Sequence, residues 1–112
     1  MTYRNATQAE IEALKDIHGS IYELDLSAVP SLEGEPQVIY RAMTEMERKF
    51  MARLAKAEDQ NADLQIAQKL VVFPDSETFR TMSDTAYFVN SLIVKDAVEK
   101  YGLVSIAAGK KL

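Results

Sequence analysis

Residues 37–50 read QVIYRAMTEMERKF. Residues 37–43 are β-branched, aromatic and apolar, the composition of a strand. Thr44 and Glu47 then stand three apart, the spacing of a capping box. There the threonine hydroxyl accepts an early backbone N–H and the glutamate reaches back to the cap. The stretch therefore predicts a strand that turns directly into a helix beginning at residue 45 and running to about residue 57. On that helix Met46, Phe50 and Leu54 form an i, i+4, i+8 stripe flanked by Arg48, Lys49, Arg53 and Lys56. Arg41, at the join, shares a strand face with Ile39 and Met43. It can pair with a carboxylate or bond helix carbonyls, or it can be an ordinary surface arginine.

Working backwards, SIYELDLS (20–27) alternates, with Tyr22, Leu24 and Leu26 on one side and Glu23 and Asp25 on the other. That is a half-buried strand. Residues 28–36 hold Pro30, Gly34 and Pro36 and read as loop. The two strands would form an antiparallel hairpin, which needs helices on one face to persist in water. Upstream, Thr7 and Glu10 repeat the capping-box spacing and start a helix over residues 7–19. Ile11, Leu14 and Ile17 lie on its apolar face, and Gly19 is its stop.

Working forwards, residues 58–63 are a polar break. LQIAQKLVVF (64–73) keeps helical spacing, although LVVF by itself could be a strand. Pro74 ends it. Residues 74–82 read as a short helix capped by Asp75 or Ser76. Residues 83–102 read as the longest helix, with Ser83 and Asp84 as cap candidates, Phe88, Leu92 and Val98 on its apolar face, and Gly102 at its end. The predicted fold class is α+β: an N-terminal helix, an antiparallel β-hairpin, then three to four packed α-helices. Residues 1–102 form the predicted single domain, and residues 103–112 a C-terminal tail.

The chain has 112 residues, enough for one domain with a core of its own. Cysteine is absent, which excludes disulfides and thiolate metal sites and favours a reducing compartment. The first ten residues carry no apolar run of the kind a secretory signal has, and no segment is long enough to span a membrane. With 17 acids, 13 bases and a net charge of −4, the sequence argues against nucleic acid as the main partner.

Chemistry-bearing patterns are missing. The single histidine, His18, falls in the last turn of a predicted helix, where a cation suits the helix dipole. The four glycines form no phosphate or dinucleotide loop. The pairs Glu33/Glu35 and Glu45/Glu47 read as solvated acids, the second favoured by a helix N-terminus. Met43, Met46 and Met51 suit either core packing or an adaptable binding face. No catalytic residue, metal site or cofactor is expected, and the protein reads as a non-enzyme.

Three pieces of sequence, in this order and spacing, resemble the tail assembly chaperones of long-tailed bacteriophages. They are the Lys15, His18, Gly19 turn into a strand, the Tyr40 to Glu47 switch, and LVVFPD at 70–75. The likeness spans residues 8–102. It implies a non-catalytic factor that transiently binds the tape measure protein, promotes assembly of tail tube protein around it, and works in the host bacterial cytoplasm. It further implies a longer form made by −1 frameshifting, for which Gly109, Lys110 and Lys111 offer a place. Under this reading Met46, Phe50, Leu54, Phe88 and Leu92 would line a partner-binding groove shared by helices 45–57 and 84–101. From periodicity alone the same residues suit ordinary core, and the sequence is compatible with a homo-oligomer. The hairpin edge is a second docking surface. A small structural virion protein, such as a head–tail adaptor or tail-completion factor, is the alternative. A small enzyme or nuclease inhibitor, using the acidic loop at Glu33 and Glu35, is a third reading.

Overall fold

A computed structural model describes residues 2–108, with side chains described through residue 102. Along the chain the elements are β1 (Thr2–Tyr3), α1 (Gln8–His18), β2 (Ile21–Asp25), β3 (Glu33–Gly34) and β4 (Gln37–Arg41). They continue with α2 (Glu45–Lys56), α3 (Ala62–Leu70), β5 (Val71–Phe73), α4 (Ser76–Thr85) and α5 (Val89–Ala108). The chain is a mixture of helices and small sheets. No helix among the described residues is long and apolar enough to cross a membrane.

β2 and β4 pair antiparallel, with Tyr22 opposite Tyr40 and Leu24 opposite Val38. β4 is central, because β5 joins its other side antiparallel and places Phe73 opposite Ile39. Residues 71–73 thus form a strand. Once α3 ends at Leu70, two valines and a phenylalanine supply the branched and aromatic side chains that a pleated surface favours.

Alternation along β4 divides the core in two. Val38 and Tyr40, both fully buried, join Ile66, Leu70, Phe79 and Ile93 in the main cluster built by α3, α4 and α5. Ile39 faces the opposite way with Phe73, towards α1. The two faces are filled very differently: α1 buries none of its residues completely, and Ile17 is 73% exposed.

The loop between β2 and β4 is packed rather than open. Leu26, Val29 and Leu32 are buried, and successive turns join Val29 N to Leu26 O and Leu32 N to Val29 O at 3.0 and 3.1 Å. Its end, β3, forms a two-residue parallel ladder with β1. Gly34 is required there. Its φ is +87°, and a Cβ at this position would stand 2.4 Å from the Tyr3 carbonyl oxygen.

The helical half departs from the sequence reading at one boundary. Ser83 and Asp84 do not cap a helix; both lie in the last turns of α4, and α5 begins only at Val89. The turn between them is Ala86, Tyr87 and Phe88, with Ala86 at φ −139° and ψ 76°. Ser83 is buried and accepts a hydrogen bond from Asn90 Nδ2 at 2.7 Å, joining α4 to α5 across the turn. Nor does Gly102 end the last helix, which continues to Ala108. One glycine inside a helix costs only about 1 kcal/mol relative to alanine, too little to stop a helix continued by alanine, leucine and isoleucine. The break between domain and tail placed after residue 102 is therefore not a helix end, and residues 109–112, including the proposed frameshift position, lie outside the described residues.

Candidate partner-binding surface

Two capping boxes fix the helices that frame the surface. Thr7 accepts the Glu10 N–H at 3.2 Å while Glu10 accepts the Thr7 N–H at 2.9 Å. Thr44 and Glu47 do the same at 3.2 and 3.0 Å. The sequence expectation for Thr7, Glu10, Thr44 and Glu47 as caps matches this geometry.

Glu47 is more than a cap. Arg41 donates to both of its carboxylate oxygens, at 2.8 and 2.5 Å, and also to the carbonyls of Lys69 and Ala42 at 3.0 and 3.2 Å. One guanidinium therefore joins the end of β4, the start of α2 and the end of α3. The Arg41 bonds, aided by the Thr44 backbone bond, hold the Glu47 carboxyl below the usual glutamate range despite its partial burial. Glu47 is thus a paired acid at a junction rather than a solvated one. Glu45 is solvated, with Lys49 3.7 Å away.

The five anchor candidates are split by the fold. Phe50 and Leu54 pack partly against the main cluster. Met46 is 78% exposed at the start of α2, and Phe88 and Leu92 are 51% and 41% exposed at the start of α5. α3 packs against both α2 and α5, so the groove expected between helices 45–57 and 84–101 is occupied by a third helix. Phe88 and Leu92 remain together, one turn apart, beside the exposed Tyr87, which the sequence reading had not singled out. On the other side of the same helix Val89, Ile93 and Ala97 are buried. Of the methionine trio, Met43 is core, Met51 is half-buried and Met46 is outside.

A cleft of about 650 Å³ opens between α1, the N-terminal strand and the corner where β5 meets α4. Leu14, Ala13, Phe73 and Pro74 make it apolar. Arg4 crosses it, its guanidinium 5.2 Å from the Phe73 ring centre and bonded to both Glu10 oxygens at 2.6 and 2.9 Å. Bonding to Arg4, and then to the Thr7 backbone, lowers the Glu10 carboxyl to about 2. A carboxyl ionised to that degree holds no proton to donate near neutral pH. The cleft comes from contacts distant in sequence, and no local pattern announces it.

Among the described residues no three His, Cys, Asp or Glu side chains gather as metal ligands. No protein-family model matches the chain, and neither a curated protein nor a solved structure does.

Proposed function

We propose that the protein is a non-catalytic phage tail assembly chaperone that transiently binds the tape measure protein and promotes tail-tube assembly. The sequence resemblance supplies the partners, and one structural observation supports the mode of action. Phe88, in the turn before α5, and Leu92, in its first turn, stay half-exposed while their neighbours Val89 and Ile93 are buried. Such a stripe suits reversible capture of an amphipathic helix. Each apolar anchor contributes roughly 1.5–3 kcal/mol when buried. A few of them, set against the cost of association, give exchangeable binding on the order of micromolar.

Co-expression with the tape measure protein of the same phage is the test. The chaperone reading expects the two to co-purify, the tape measure protein to stay soluble only in company, and the double variant Phe88→Asp, Leu92→Asp to lose capture while keeping its melting temperature. Purified virions should lack the chain. Failure to co-purify refutes the reading, and finding the chain in finished particles favours a head–tail adaptor instead.

A further inference from the structure

Phe79, Met82, Ala86, Val89, Ile93 and Ala97 are all buried, and they stand three or four residues apart throughout. That is the spacing of one unbroken helical stripe. Yet the helix breaks in the middle of it: α4 ends at Thr85 and α5 begins at Val89. No glycine or proline lies between them. The break is short. Ala86 leaves the helical region, at φ −139° and ψ 76°, and a tight turn closes from Val89 N to Ala86 O at 3.0 Å. Among the described residues, the N–H groups of Tyr87 and Phe88 meet no backbone acceptor. In a continuous helix they would bond the carbonyls of Ser83 and Asp84. Side-chain period and backbone bonding thus both favour joining the two helices. What opposes it is that α5 must fold back onto its own core, where Val89 and Ile93 join the main cluster and Asp96 accepts from Tyr40. A second copy of the chain removes that opposition, because its core holds the same site for the same helix.

We propose that the turn at residues 86–88 is a hinge through which two copies of the chain exchange α5. α4 and α5 join into one helix from residue 76 to residue 108, roughly 50 Å long, and α5 of each copy lies in the core of the other. The buried contacts of α5 are remade between copies, and the Tyr40–Asp96 bond runs from one chain to the other. The exchange therefore costs the entropy of bringing two chains together and recovers the bonds of the turn. It depends on protein concentration for the same reason. Leu92 stays outside in both forms, so the surface proposed for partner capture is kept, and Phe88 becomes helical one turn ahead of it.

The full chain is unfolded in urea, refolded at low and at high concentration, and sized by light scattering. The chain has no cysteine, so introduced thiols report alone. Ser91 Oγ on α5 donates to Asp63 Oδ2 on α3 at 2.7 Å, which makes these positions neighbours across the exchanged contact. Chains carrying Asp63→Cys and chains carrying Ser91→Cys are mixed, refolded together and oxidised. The expected result is a dimer at high concentration in which a disulfide joins the two substituted positions across chains. Tyr87→Pro should lower the dimer yield at least about tenfold, because proline suits the second position of the turn and breaks a continuous helix. Tyr87→Ala, which removes the ring and keeps the N–H, should leave the yield unchanged. A chain that stays monomeric at every concentration, a dimer without the cross-chain disulfide, or a Tyr87→Pro dimer as abundant as the parent's would overturn the proposal. None of these readouts involves the tape measure protein, so the chaperone reading stands or falls separately, on co-purification.

Discussion

Arg41 and Glu47 meet in a two-pronged ion pair across the β4–α2 junction, with N–O distances of 2.8 and 2.5 Å. Their side chains are 25% and 13% exposed, so water screens the pair only in part. Removing Arg41 leaves a half-desolvated carboxylate and gives the exposed Lys69 carbonyl over to water. Arg41→Ala is expected to cost about 1–3 kcal/mol in urea unfolding. Arg41→Lys should recover less than half of it, because an ammonium cannot bond both carboxylate oxygens and two carbonyls in this plane. Equal stability of the alanine variant and the parent would show that the pair contributes nothing.

The same pair sets a pH dependence. The folded Glu47 carboxyl is held below its ordinary value, chiefly by Arg41. Its contribution is therefore fully present above the unfolded glutamate pKa of about 4.3, and is lost as pH falls through the lower folded value. The parent should lose stability below about pH 4, and Arg41→Ala should show a flatter acid limb. Superimposable slopes for the two proteins between pH 5 and pH 2 would contradict this.

Thr44→Ala removes one capping bond and is expected to cost about 1 kcal/mol. Because Glu47 serves both Thr44 and Arg41, the losses from Thr44→Ala and Arg41→Ala should not add. Thr7→Ala, whose Glu10 is tied to the more exposed Arg4, should cost less. A double-mutant cycle by denaturant titration checks both statements.

These junctions were legible because they are local. Threonine and glutamate three apart declare a helix start, and alternation over residues 20–27 declares a strand facing a core. The α4–α5 turn was not legible, because its residues are alanine, tyrosine and phenylalanine, none of them a breaker. Packing sets it: Phe79 and Met82 on one side and Val89 and Ile93 on the other all reach the same cluster, and only a turn at Ala86 allows both sets in. The β5 strand was half-legible, since VVF suits a strand but the helical period of residues 64–70 runs straight into it. The two-residue ladder of β1 and β3, and with it one wall of the α1 cleft, leaves no local signature at all. It joins residues about thirty apart, and only Gly34 marks the place.

Gly34 provides a sharp test of that ladder. In Gly34→Ala the new methyl would meet the Tyr3 carbonyl at 2.4 Å, on a backbone with φ +87°. The strand must move or the loop must, at a cost of roughly 1–3 kcal/mol. The amides of Thr2 to Arg4 and of Gly34 and Glu35 should lose hydrogen-exchange protection, with Ile93 and Val94 in α5 unaffected. Unchanged protection at Glu35, whose N–H donates to the Tyr3 carbonyl at 3.0 Å, would refute the account.

Tyr40 should reveal itself at high pH. Its ring is fully buried and its hydroxyl donates to Asp96 on α5. Burial, reinforced by the bond to Asp96, raises the phenol well above the ordinary tyrosine value of 10.0. Because the folded state prefers the neutral phenol, this contribution is complete below about pH 10, where the unfolded tyrosine is also neutral. It declines as pH rises beyond that, when the unfolded chain can ionise and the folded one resists. Tyr40→Phe keeps the ring but deletes the donor, so it should cost about 1–2 kcal/mol at neutral pH. It should also reduce the alkaline fall in stability. In the parent, absorbance near 295 nm should show at least one tyrosine that ionises only as the protein unfolds. Reversible ionisation of every tyrosine near pH 10 in the folded chain would mean that the Tyr40–Asp96 bond does not hold α5 against the sheet.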